Sequence, residues 1–295
     1  MAKNPEEVSD LDGVIHGFQT HGYILDRALA TSIYLLIKLG KPLLIEGHSG
    51  VGKTEVAKVL AAFLDTELIR LQCYEGLDLS AAVYEWNYQK QLLAIKLQDR
   101  TDESTDERVR HIFGPDFLLE RPLLRAIRQS LSPVLLVDEV DRADEAFEAF
   151  LLELLSDFQI TIPEMGSVKA VSRPFVVLTS NRTRELGDAL KRRCLYHWID
   201  YPTREKELEI VRTRLPFTGE RLSEQAVGVV QKLRHMKLSK PPGVAETLDF
   251  VHALTTLQTV SLNAGAVEQT LGCISKSAED IAAIQAAGVE NLLYS

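Results

Sequence analysis

Basic excess, paired cysteines, long apolar runs and repeats are all missing from this chain, and each absence removes a class of protein. Against 42 Asp and Glu stand 33 Lys and Arg, a net charge of -9, so there is no global field to hold nucleic acid, although a local basic patch would survive the average. The three cysteines, Cys73, Cys194 and Cys273, are odd in number and far apart. With no C-x-x-C and no histidine at zinc-ligand spacing, they read as reduced thiols of a cytoplasmic protein. The longest apolar stretch, Ala28–Ile37, is interrupted by Thr31 and Ser32 and has about half the length of a bilayer span. That argues against a transmembrane segment and leaves peripheral association with a membrane open. The acidic start, Met1–Asp10, lacks the features of a signal peptide. No period of about 20 to 50 residues is visible, which removes solenoids and propellers.

What remains is an ordinary globular composition, 45% hydrophobic and 25% charged with 17 Gly and 11 Pro. A chain of 295 residues can bury roughly 74% of its unfolded surface, enough for one large and one small domain. Short apolar runs at Pro42–Glu46, Glu67–Gln72, Pro133–Asp138, Pro174–Ser180 and Leu195–Asp200 read as buried parallel strands. Between them the 3.6-residue period is clean at Val56, Val59, Leu60 and Phe63, and again at Phe147, Phe150, Leu151 and Leu154. The polar run Asp99–Arg110 reads as a solvated loop. After Tyr201-Pro202 the strands stop, and helices are expected at about Thr203–Leu215, Ser223–Arg234, Val244–Leu262 and Ala266–Ala283, a small bundle.

The chemistry concentrates in Gly47-His48-Ser49-Gly50-Val51-Gly52-Lys53-Thr54, a G-x-x-x-x-G-K-[ST] match between an apolar strand and an amphipathic helix. Glycines let successive N–H groups and the helix N-terminus turn toward phosphate oxygens, Lys53 brings charge, and Thr54 brings a hydroxyl for Mg²⁺. The strand Pro133–Asp138 then delivers Asp138 and Glu139 at its C-terminal edge, where open α/β sheets bind ligands. Asp138 suits the Mg²⁺ shell and Glu139 the polarising of water; a helix N-cap run before Ala143 is the plainer alternative. Asn181 ends the next strand, in Thr179-Ser180-Asn181.

This order of parts resembles the AAA+ ATPases. The resemblance implies an α/β fold, an αβα sandwich with a parallel five-stranded sheet at 1–201, plus an all-helical lid at 202–295, and it makes Asn181 the sensor 1 residue. Gln159–Val168 resembles the pre-sensor-1 β-hairpin. With Lys41–Gly47, Asp138-Glu139-Val140-Asp141-Arg142-Ala143 and Tyr201-Pro202, the chain is similar to the MoxR branch, and Tyr84–Gln89 and Pro242–Thr247 to the CoxD-like subgroup that serves carbon monoxide dehydrogenase maturation.

The resemblance implies ATP and Mg²⁺ as cofactors, and a homo-oligomeric, hexameric ring in which Arg193 of Ala189-Leu190-Lys191-Arg192-Arg193-Cys194 serves as arginine finger in trans; a solvated basic face is the alternative. Tyr23 and Ile24 lie where related ATPases hold adenine, with core packing an equal alternative for Tyr23. The position matching the sensor 2 arginine carries Glu246, which cannot stabilise phosphate without a cation between them. Trp86 and Tyr88 are candidates for gripping a client from a pore loop, or for the core. The seven histidines form no metal site. Function is expected to be ATP-driven remodelling of a protein client, such as a molybdenum hydroxylase awaiting its cofactor. The alternatives are a nucleic-acid motor or loader, against which the acidic balance argues, and a slow nucleotide-gated scaffold.

Overall fold

The computed structural model describes residues 8–97 and 105–293. In chain order its elements are α1 (Leu11–Thr20), α2 (Arg27–Leu39), β1 (Leu43–Gly47), α3 (Lys53–Leu64), β2 (Leu68–Gln72), α4 (Leu79–Ala82), β3 (Tyr84–Trp86), α5 (Tyr88–Leu97), α6 (Thr105–Ile112), β4 (Leu118–Glu120), α7 (Pro122–Arg128), β5 (Val134–Asp138) and α8 (Glu145–Asp157). There follow β6 (Gln159–Ile162), β7 (Gly166–Lys169), β8 (Phe175–Ser180), α9 (Asp188–Arg193), β9 (Leu195–Ile199), α10 (Arg204–Arg214), α11 (Glu220–His235), α12 (Val244–Thr256), α13 (Ala264–Ile274), α14 (Ala278–Ala287) and α15 (Glu290–Leu293). The described residues form two compact units, one of 8–14, 28–46, 57–97 and 105–197, the other of 15–27, 47–56 and 198–293.

The first unit is built on the parallel five-stranded sheet, in the order β2-β5-β8-β1-β9. Strands β1, β5 and β8 are buried along their whole length, as apolar runs covered on both faces must be. Register matters for the chemistry. Gln72 pairs with Asp138, Glu46 with Ser180, and Val137 with Leu178, so the polar ends of β2, β5, β8 and β1 come out at one edge. Beneath that edge Leu44, Leu71, Leu135, Val137, Val176 and Leu178 join one apolar core with Phe147, Leu151 and Leu154 of α8. The hairpin expected at Gln159–Val168 forms as β6 paired antiparallel with β7.

Two expectations within this unit need correction. Trp86 is 5% exposed and packs edge-on against Tyr84 and Phe113, inside the core, so it is no pore-loop residue; pairing of β3 with β4 turns its ring inward. Tyr88, two residues on, is 62% exposed at the start of α5. Of the run read as a solvated loop, 99–104 lies outside the described residues, while Thr105–Ile112 is helix α6.

The second unit has a core formed by α10–α15, in which Val211, Val227, Val230, Phe250, Val251 and Leu254 are fully buried. Side-chain caps fix several starts: Thr203 accepts the Lys206 N–H, and Asn263 the Ala266 N–H. The segment Ala266–Ala283, expected as one helix, is two. Ser277 caps α14 by accepting the Asp280 N–H, and a hydroxyl that binds the backbone locally favours a break at that point.

Candidate functional site

In the second unit, β1 ends at Gly47 and α3 starts at Lys53, so the loop between them presents the helix N-terminus, with its partial positive charge and unsatisfied N–H groups, where the motif requires it. Close packing demands the glycines. A Cβ on Gly47 would stand 2.2 Å from the Ile199 carbonyl oxygen, and Gly50 has φ 76°, where any side chain is strained. Lys53 is 7% exposed, and its ammonium donates to the carbonyls of Gly47 (2.9 Å) and His48 (2.6 Å). The His48 ring stacks on Tyr201 at 4.5 Å, meets Trp198 edge-on, and holds Nε2 3.9 Å from Asp200. Ser49 is exposed, Val51 is buried, and Thr54 is half-buried in the first turn of α3. A Cβ on Gly52 would stand 3.7 Å from the Tyr23 ring, which packs edge-on against Phe18. Burial, reinforced by Asp26 and Glu55, pushes its phenol up from the ordinary value. Ile24 beside it is half-buried.

The first unit brings Asp138, Glu139 and Asn181 together. Asp138 ends β5 and is 2% exposed. Its carboxylate accepts from the Arg70 guanidinium (Nε at 3.0 Å) and from the Thr179 hydroxyl (2.5 Å). The same Thr179 oxygen accepts the Glu139 N–H at 2.9 Å. Glu139 adopts a left-handed conformation, φ 54°. That backbone is strained for a residue with a Cβ, and such strain persists where surrounding bonds over-determine it. Its carboxylate lies 3.3 Å from Arg142. Asp141, buried behind it, accepts the Asn181 N–H at 3.2 Å, the Thr183 N–H at 2.8 Å and the Thr183 hydroxyl at 2.7 Å, so the turn carrying Asn181 is built on the Asp138-Glu139-Val140-Asp141 segment. Glu46, 5% exposed, takes hydrogen bonds from Ser180 and Tyr196. Cys73 lies beside this acidic edge. Burial, with Asp138, Asp141 and Glu139 adding repulsion, pushes its thiol up to about 12.

Arg193 closes α9 on the same unit, exposed, donating to the Ser156 hydroxyl (2.6 Å) and the Ala189 carbonyl (3.2 Å). Arg192 beside it is exposed as well. Sequence analysis overlooked Thr179, Asp141, Arg70 and Glu46. A Thr-Ser pair ending an apolar strand, and a second Asp three residues after Asp138, were the available signals.

Residues 42–194 match the AAA domain (dynein-related subfamily), a span with Asp138, Glu139, Asn181 and Arg193 inside it. The chain belongs to this AAA domain family. Its relatives include an uncharacterised protein of Staphylococcus haemolyticus, 24% identical over 239 residues that cover 79% of this chain and 82% of the relative. Another is an uncharacterised protein of Staphylococcus aureus strain USA300, 27% identical over the same shares. Among solved structures, the Thermotoga maritima RuvB Holliday junction branch migration motor is 18% identical, covering 91% of this chain and 68% of its own, at a TM-score of 0.44. AAA domains are typically nucleotide-binding ATPases and often assemble as rings. No helix among the described residues is long and apolar enough to cross a membrane.

Proposed function

We propose that the chain hydrolyses ATP to ADP and phosphate and uses the cycle to remodel a protein client. It would do so as a MoxR-type AAA domain of the CoxD-like kind, with a nucleotide-binding domain at 1–201 and a lid at 202–295. The observation that carries the hydrolytic part is the strained Glu139, tied at its N–H to Thr179 and at its carboxylate to Arg142. Thr179 holds its N–H, and Asp141 holds the turn that bears Asn181, so a carboxylate able to orient and deprotonate water is fixed on a rigid sheet edge. Lys53 and the N-terminus of α3 neutralise phosphate, and Asn181 steadies the attacking water. The Thr54 hydroxyl and the Asp138 carboxylate are hard oxygen donors of the kind Mg²⁺ takes together with substrate phosphates, and that ion would supply charge to the transferring phosphoryl group. Among the described residues there is no group of three or more His, Cys, Asp or Glu that could hold a metal ion.

In this reading Tyr23 and Ile24 contact the base, and Arg193 completes the site of the next subunit in a hexameric ring in the cytoplasm. The client surface is α5, whose Tyr88, Leu92, Leu93 and Ile95 are all 46% exposed or more. Exposed apolar side chains of this kind suit apolar segments of a protein, not phosphates. The experiment is cofactor completion in an apo molybdenum hydroxylase such as carbon monoxide dehydrogenase, with the chain and with or without ATP. ATP-dependent completion supports the reading. Completion indifferent to ATP, or strong salt-dependent binding of duplex DNA in its place, overturns it.

A further inference from the structure

Glu246 holds the position where a cation would be expected to meet phosphate, and the structure gives it another task. The carbonyl oxygen of Gly50, in the phosphate loop, accepts two backbone N–H groups from the start of α12, those of Val244 (2.9 Å) and Ala245 (3.2 Å). These are two of the N–H groups that a helix start leaves without an intrahelical partner. Glu246 reaches back to accept the Gly243 N–H at 2.9 Å, closing the same turn. The packing is tight. A Cβ on Gly50 would lie 2.8 Å from the Glu246 Oε2, and a Cβ on Gly243 would lie 2.8 Å from Gly50 backbone atoms and from the Ser49 carbonyl. Behind this contact the turn is anchored on a buried pair, Glu207 with Arg234. The Thr247 hydroxyl donates to Glu207 at 2.6 Å, and Arg234 donates to the Pro242 carbonyl at 2.8 Å.

We propose that Glu246 is a positioning residue that, through the first turn of α12, clasps the Gly50 carbonyl and thereby presets the phosphate loop. The physical step is the planarity of the peptide. In a trans peptide the C=O and the following N–H point in opposite directions, so holding the Gly50 carbonyl against α12 fixes the Val51 N–H on the other side. An amide aimed in advance does not have to be ordered when phosphate binds. What the clasp needs from residue 246 is a hydrogen-bond acceptor, and Gln serves there as well as Glu. A negative charge contributes nothing to this task. The inference rests on the phosphate-binding reading of Gly47–Thr54.

The test measures fluorescent ATP-analogue affinity for the full chain, together with nucleotide-free amide hydrogen exchange at Val244 and Ala245. Glu246→Gln keeps parent affinity within about twofold. Glu246→Ala weakens affinity by roughly fivefold, the scale of one lost helix cap, and speeds exchange of those two amides. Gly243→Ala, whose methyl collides with Gly50, shifts both readouts in the same direction while thermal melting reports whether the fold is intact. Rescue by Gln separates an acceptor from a charge. Tighter binding in both Glu246 variants would mean that Glu246 merely repels phosphate, and would overturn the proposal. So would unchanged affinity and exchange in Glu246→Ala, with the phosphate site left standing. Failure of the parent chain to bind nucleotide would overturn the phosphate-site reading and this proposal together, and the parent measurement alone identifies that case.

Discussion

Replacing Thr179 with valine removes one hydroxyl and almost no volume, at a residue that is fully buried. That hydroxyl donates to Asp138 and accepts from the Glu139 amide. Losing the bond to an ionised carboxylate costs about 1.5–3 kcal/mol, and leaving a buried N–H without a partner costs about 1–3 kcal/mol. Asp138 keeps the Arg70 guanidinium, so its charge is not abandoned, and the two costs share one site. A net loss of about 2–4 kcal/mol follows, or a fall in Tm of roughly 5–15 °C. The effect on chemistry is separate. Glu139 sits in a strained conformation that this bond helps to hold, and a misplaced carboxylate costs about 10- to 100-fold in kcat. Nucleotide affinity, assigned by the proposed function to the loop around Lys53, should be largely retained. The assay is thermal unfolding alongside steady-state phosphate release, with Thr179→Ser as control, because serine keeps both bonds and loses one methyl worth about 1 kcal/mol. If valine matched the parent in Tm and in kcat while serine did not, the reasoning would be wrong at its root.

Three further outcomes are expected. Arg193→Ala should bind ATP as the parent does and hydrolyse it poorly, and mixing it with Lys53→Ala should restore part of the activity if the finger acts in trans; no recovery in mixed rings, or a greater loss with Arg192→Ala, would reject that assignment. Cys73 should resist iodoacetamide in the folded protein from pH 7 to about 10, because burial and three neighbouring carboxylates hold its thiol at about 12. The folded state then keeps a proton that the unfolded chain releases near pH 9, so this thiol's contribution to stability fades as pH rises above about 9, and residue-resolved mass spectrometry finding rapid labelling at pH 8 would contradict it. Glu207→Ala should destabilise by about 3–5 kcal/mol, since it leaves Arg234, 6% exposed, without its partner; a loss below about 1 kcal/mol in urea unfolding would show the pair to be dispensable.

How much of this was legible beforehand depends on the range over which each feature is determined. Strands β1, β5 and β8 announce themselves because a strand covered on both faces is an apolar run, broken here only at the polar end that faces the site. The loop Gly47–Thr54 is equally local, since its glycines, lysine and hydroxyl are neighbours in the chain. Thr179, Asp141 and Arg70 escaped because their roles arise from pairing across strands. Arg70 reaches Asp138 only because β2 lies parallel to β5 with Gln72 opposite Asp138, and nothing adjacent to Arg70 in sequence signals that. Trp86 was open to a pore-loop reading beside the commoner core one, and the pairing strand that decides for the core, β4, lies more than 30 residues on. The break at Ser275–Ser277 interrupts a run of apolar spacing too briefly to disturb the pattern, although Ser277 is a good capping residue. Glu246 drew notice as a departure, and only the approach of α12 to Gly50 supplies its reason.

The central claim is that this AAA domain binds ATP with one set of residues and hydrolyses it with another. Phosphate release and ATP affinity measured side by side, for the parent, Lys53→Ala and Glu139→Gln, test it most directly. The parent should turn ATP over in the presence of Mg²⁺, Lys53→Ala should lose affinity, and Glu139→Gln should hold ATP with parent affinity and release no phosphate. A parent chain without ATP affinity, or equal loss of binding in both variants, would contradict the account.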